Sequence, residues 1–103
     1  MRIIGRKSVE MMTSSHTAEG VNPPMSGADF GFGIGVGVYK GGGLPRLRSV
    51  GTYGWGGAAG TSYFCDPKED LIAIIFTQVL MHMMMPGNLY QEDFERLVYQ
   101  ALI

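Results

Sequence analysis

Residues 30–39 alternate without a break. Phe30, Phe32, Ile34, Val36 and Val38 are apolar, and Gly31, Gly33, Gly35 and Gly37 occupy the positions between them. A period of two belongs to a β-strand, so the spacing predicts one strand with a side-chain face and a bare face. Thr, Lys or Glu would suit a face turned to water; glycine throughout predicts a neighbouring element in close approach. Downstream, Ser62-Tyr63-Phe64-Cys65 and the nearly continuous apolar run from Leu71 to Thr77 read as two more strands, the second covered on both faces. Asp66-Pro67-Lys68-Glu69-Asp70 between them is a turn, with proline preset for it. Val50 leads into a strand ahead of this pair, which completes a three-strand meander.

Towards the two ends the period changes. Val9 and Met12, with Met11, give one apolar face to a short helix over 6–14, and Ser14-Ser15-His16-Thr17 breaks it. From Leu89, the apolar residues Tyr90, Phe94, Leu97, Val98 and Ala101 fall at helical spacing, with Glu92, Asp93, Glu95 and Arg96 on the other side as a solvated face. Asn88 and Gln91 match an N-cap and its reciprocal partner. Acidic residues in the first turns suit the helix dipole. Residues 18–29, with Pro23 and Pro24, and residues 40–49, with Gly41-Gly42-Gly43 and Pro45, read as loops. Arg46 and Arg48 are expected there as solvated charges. The sum is an α+β domain: an antiparallel sheet of about four strands with the N- and C-terminal helices on one face.

Composition narrows the functional classes. At 103 residues there is room for one domain, and 46% hydrophobic against 17% charged residues describes a chain that folds. A net charge of −1 with no basic cluster argues against a nucleic-acid partner. Cys65 is the single cysteine, so no intrachain disulfide forms; its place beside Phe64 suits a small apolar residue. The first seven residues lack the apolar stretch of a signal peptide, which favours the cytoplasm over the periplasm, and no apolar run is long enough for a membrane span. His82 among Met81, Met83, Met84 and Met85 is read as an apolar loop in preference to a soft-metal site, so neither metal nor cofactor is expected. His16 is expected at the surface without a partner.

The segment Tyr53-Gly54-Trp55-Gly56-Gly57-Ala58-Ala59-Gly60-Thr61 stands apart. Its four glycines and two alanines surround a single tryptophan and have almost no side chain to bury. Such a run can bring bare backbone against a ligand, as the edge of a cleft. The same residues would also suit a glycine-rich hairpin anchored by its tryptophan. No Gly-x-Ser-x-Gly elbow and no phosphate-binding Gly-x-x-x-x-Gly-Lys is present.

Trp55-Gly56-Gly57-Ala58-Ala59-Gly60, then Tyr63-Phe64, Asp66-Pro67-Lys68-Glu69-Asp70-Leu71 and Ile75-Phe76-Thr77-Gln78, resemble the C-terminal part of serine β-lactamase-like proteins. They are most similar to the branch of β-lactamase-related esterases and penicillin-binding-protein homologues. Arg6 to Thr13 and Phe30 to Val36 are similar to segments upstream of that run in the family. The resemblance covers nearly all of residues 1–103, as a single partial domain of the β-lactamase/transpeptidase type, but only about the last third of a full member. In that family a Lys-Thr-Gly box lines the cleft, and the next residue offers its N–H to the oxyanion hole. The resemblance places Trp55, Gly56 and Gly57 on the box, Ala58 on the N–H donor, and Tyr53 with Trp55 around the acyl pocket. A fixed N–H stabilises the oxyanion of acyl transfer without a side chain.

Two departures qualify the expectation. Trp55 replaces the Lys that would hold a β-lactam carboxylate, which favours neutral esters. The Ser-x-x-Lys nucleophile motif is missing: none of Ser8, Ser14, Ser15, Ser26, Ser49 and Ser62 has Lys three residues on, and Tyr-x-Asn is absent too. The resemblance therefore implies the C-terminal part of an esterase or amide hydrolase, inactive alone, whose partners are the missing N-terminal part of the same fold and a small-molecule ester or amide. The rival expectation is a non-catalytic module that self-associates, as a homo-oligomer, through surface left bare by that missing part.

Overall fold

The computed structural model describes residues 2–18, 29–43, 45–80 and 90–103. Five strands form one antiparallel sheet in sequence order: β1 (Phe30–Phe32), β2 (Gly37–Tyr39), β3 (Tyr53–Gly56), β4 (Ser62–Asp66) and β5 (Leu71–Ile75). Helix α1 spans Arg6–Met12 and α2 spans Tyr90–Gln100. The architecture is α+β, with one strand more than the sequence pattern predicts.

The extra strand comes from the alternating stretch, which is a hairpin and not one strand. Phe30 pairs with Tyr39 and Phe32 with Gly37, and the turn between them is closed by Gly33 N–H donating to the Val36 carbonyl at 2.8 Å. Gly35 takes φ +83°, which an L side chain resists, so the glycine that continues the alternation is also the one that ends it. The expectation of a close neighbour holds at Gly31 and Gly33 but not at Gly35, where a Cβ would meet nothing within 4 Å. A Cβ on Gly31 would sit 1.9 Å from Ser15 Oγ, and one on Gly33 would sit 2.3 Å from the Met12 carbonyl oxygen. The chain after α1 runs along this hairpin, with His16 N–H bonded to the Phe32 carbonyl at 2.8 Å and Ile34 N–H to the Met12 carbonyl at 2.9 Å. His16 Nε2 lies 2.6 Å from the Met11 carbonyl oxygen, so this exposed histidine does have a partner. Helix α1 itself buries no residue.

The β4–β5 turn forms as its sequence predicts. Asp66 Oδ1 accepts from the amides of Lys68 at 3.0 Å and Glu69 at 3.4 Å, and Asp70 adopts φ +52°. Helix α2 lies on the sheet face that carries Phe64 and Ala73, with Tyr99 stacked on Phe64 at a centroid distance of 5.8 Å.

Three expectations about polarity are corrected here. Glu95 is buried on α2 while Leu97 is exposed, so the inward side of the helix keeps Tyr90, Phe94 and Val98 of the predicted apolar face but takes in Glu95 and leaves Leu97 in solvent. Arg46 and Arg48 are the reason. Arg48 Nη1 meets Glu95 Oε1 at 2.8 Å, and Arg46 Nη2 meets both Glu95 oxygens at 2.9 Å. Arg48 lies over the rings of Phe30, Tyr39 and Phe64 at 5.1–5.3 Å, and its Nε donates to Thr52 Oγ1 at 2.8 Å. Burial pushes the Arg48 guanidinium below its ordinary value, and Glu95 opposes that shift. The third correction concerns β5. Ala73 is buried, but Ile72 and Ile74 point to the opposite face, where they are 69% and 53% exposed. The predicted cap at Asn88 and the methionine segment around His82 lie outside the described residues.

Candidate functional site

The glycine-rich segment divides between a strand and a turn. Tyr53 to Gly56 form β3, paired with β4 so that Trp55 faces Tyr63 and Gly56 faces Ser62. Gly57 to Gly60 then form the β3–β4 turn, in which Gly57 N–H donates to the Thr61 carbonyl at 2.8 Å and Gly60 N–H to the Gly57 carbonyl at 3.1 Å. Gly60 has φ +96°, the left-handed residue that closes a hairpin of this length.

The five residues marked in the sequence therefore lie on β3 and the turn that follows it. Tyr53 and Trp55 project from the same face of β3, the face opposite α2. Trp55 is half-exposed and meets Phe32 edge-on at 5.3 Å. Gly37 packs against its ring: a Cβ there would lie 3.6 Å from two ring carbons. Tyr53 is partly buried and pairs across the sheet with Cys65, itself half-buried; burial and then the adjacent thiol push the Tyr53 hydroxyl above its ordinary value. Gly56 and Gly57 carry the chain to the exposed turn residues Ala58 and Ala59. The Ala58 amide donates to no other described residue. A Cβ on Gly54 would come within 2.1 Å of the Tyr63 carbonyl oxygen, which explains bare backbone inside the strand.

This segment and the upstream motifs are where the chain resembles a known family. A family model described as Beta-lactamase matches residues 1–90. The chain belongs to the beta-lactamase family. No curated protein matches it. Membership carries a serine-hydrolase-like fold, and the two-helix, five-strand sheet is consistent with part of the beta-lactamase fold.

Two features around the β3–β4 hairpin escape a reading of the sequence. The Gly60 carbonyl accepts from Thr77 Oγ1 at 2.6 Å and from Tyr90 Oη at 2.7 Å. These residues lie 17 and 30 positions further along the chain, and their only sequence signal is a hydroxyl at the end of one element and the start of another. Beside them, Gln91 Nε2 is buried without a hydrogen-bond partner among the described residues, 3.9 Å from where a Gly56 Cβ would sit.

A groove of about 890 Å³ opens between α2 and residues Gly43 and Pro45 to Leu47, lined by Asp29, Arg46, Glu92 and Arg96 among others. It shares no residue with the 53–58 segment. Among the described residues no cluster of His, Cys, Asp or Glu is placed to hold a metal ion, and no helix is long and apolar enough to cross a membrane.

Proposed function

We propose that the chain is the C-terminal part of a β-lactamase-related serine hydrolase acting on esters or amides, and that it supplies the cleft edge and one oxyanion-hole N–H. The observation that carries this reading is the Ala58 amide, which sits in an exposed turn at the end of β3 with no acceptor among the described residues. In the intact enzyme a serine outside this chain attacks the substrate carbonyl, and the π electrons move onto oxygen. The Ala58 N–H donates to that oxygen. Collapse of the intermediate expels the alcohol or amine with a proton from the family's base, and water then frees the acyl serine. Tyr53 and Trp55 shape the acyl pocket, and Gly56 and Gly57 let the substrate approach the main chain.

The chain alone is expected to give no burst of nitrophenol from a nitrophenyl ester. Supplied with the Ser-x-x-Lys part of a family member, it is expected to form an active pair. Ala58→Pro deletes the N–H at the second position of a turn, where proline is tolerated, and is expected to lower kcat by about 10²–10³-fold. A burst from the isolated 103-residue chain, or an unchanged kcat for the proline variant, overturns the assignment.

A second reading rests on a different observation. Ile72, Ile74 and Phe76 are 69%, 53% and 80% exposed, an apolar surface suited to self-association without catalysis. A monodisperse monomer in size-exclusion chromatography counts against it.

A further inference from the structure

We infer that Thr77 and Tyr90 are positioning residues for the Ala58 amide, acting through the Gly60 carbonyl. The inference rests on the oxyanion reading of Ala58 for its purpose, but not for its geometry.

An oxyanion donor works only if its direction is fixed before charge develops. Ala58 is poorly placed for that by its own surroundings. It lies in an exposed turn, packs no side chain into a core, and is held from within only by the two hydrogen bonds that close the hairpin. The outside grip comes from Gly60. That residue is buried, and its carbonyl oxygen has two lone pairs to fill. Thr77 reaches it from just beyond β5, and Tyr90 from the first residue of α2. Sheet and helix thus hold the same carbonyl.

The geometry leaves little slack. The two hydroxyl oxygens are 3.1 Å apart. Each hydroxyl has one proton, so when both donate to Gly60 neither donates to the other. A Cβ at position 60 would lie 2.1 Å from Thr77 Oγ1 and 3.1 Å from Tyr90 Oη. Glycine is required there both by its positive φ and by the hydroxyls pressed against it. The arrangement therefore fixes the last residue of a turn whose second residue presents the free amide.

The test uses the full 103-residue chain, labelled with ¹⁵N and ¹³C, as wild type, Tyr90→Phe, Thr77→Val, the double variant and Thr77→Ser. In the wild type the Ala58 amide is expected to have an order parameter near 0.85, the value of rigid backbone. In the double variant it is expected to fall below about 0.6, and the Gly60 amide, bonded inside the turn, to exchange about tenfold faster. The Gly60 carbonyl ¹³C shift is expected to move in every variant that loses a donor and to return in Thr77→Ser. Urea unfolding of the same variants separates these local effects from global loss of stability. If the double variant does not fold, Tyr90→Phe, which keeps the Thr77 donor, carries the test by the same carbonyl shift and order parameter. An Ala58 order parameter unchanged when the Gly60 carbonyl shift has moved overturns the inference. So does a carbonyl shift that ignores both hydroxyls. Neither outcome touches the catalytic assignment of Ala58, which stands or falls on the kcat of Ala58→Pro.

Discussion

The two faces of the β3–β5 sheet contrast sharply. On the side of α2, Phe64 and Ala73 are each 7% exposed and the carboxylate residue Asp66 only 1%. On the other side, Trp55 and Tyr63 are partly open, and Ile72 and Ile74 stand more than half in solvent. The covered face contains four ionic groups around α2, Arg46, Arg48, Glu95 and Asp66, whereas among the described residues the strands of the open face present none. Burial here follows partners and not polarity. A charge enters the interior when every oxygen and N–H finds a mate, and an isoleucine stays in water when nothing lies over it.

The sharpest way to break the contrast is to remove the anion from the covered side. Glu95→Gln leaves Arg46 and Arg48 beside aromatic rings with no counter-charge. Urea denaturation is expected to show a loss of about 3–5 kcal/mol, as for other broken buried pairs. A loss below 1 kcal/mol would mean that the rings alone hold the arginines.

Tyr99→Phe is milder and is read through pH. Tyr99 Oη donates to Asp66 Oδ2 at 2.5 Å, and the Ser49 amide donates to the same oxygen at 3.3 Å. Burial alone would raise the Asp66 carboxyl, but the bonds from Tyr99, Ser49 and Glu69 outweigh it and hold it below the ordinary value. Its contribution is therefore complete above the usual aspartate range near about pH 4 and is lost as pH falls through the lower folded value. The same bond, after burial, raises the Tyr99 hydroxyl, so stability is also lost as pH rises above about 10, the unfolded tyrosine value. Removing the hydroxyl while keeping the ring stack is expected to cost about 2 kcal/mol near neutrality. It should also shrink the acid loss, because the Asp66 carboxyl moves back up toward its unfolded value, and remove Tyr99's share of the alkaline loss while leaving that of Tyr53. Fluorescence-detected melts across pH measure all three.

The smallest effect on stability is expected on the open side. Ile72→Thr with Ile74→Thr should change monomer stability by no more than about 0.5 kcal/mol per site. If copies of the chain associate through this face, the same pair should shift the size-exclusion profile to monomer. An oligomer that survives both changes would place the contact elsewhere.

How much of this was legible in the sequence follows from the kind of signal each part leaves. The β4–β5 turn was, because Asp66-Pro67-Lys68-Glu69-Asp70 is local chemistry and Asp66 caps its own turn. Close packing against Gly31 and Gly33 was also legible, since a missing Cβ is a direct statement about space. The hairpin within 30–39 was hidden, because glycine at every second position serves both a strand face and a turn. Arg46, Arg48 and Glu95 were misread as solvated because their pairing spans about fifty residues, and no local pattern announces it. For β5, the apolar run predicts two covered faces, whereas among the described residues only the face with Ala73 is buried and Ile72 and Ile74 stay exposed. At the candidate site, the segment 53–58 was visible through its composition and family resemblance, but the hydroxyls gripping Gly60 were not, since each is unremarkable in its own neighbourhood.

Asp66 has a consequence for how the molecule comes apart. One carboxylate joins the turn amides of Lys68 and Glu69, the Ser49 amide and the Tyr99 hydroxyl, so three distant stretches share a single knot. Amide protons in the 49–52 corner, the β4–β5 bend and the last turn of α2 should then become accessible to deuterium together, as one opening unit, while α1 frays ahead of them on its own.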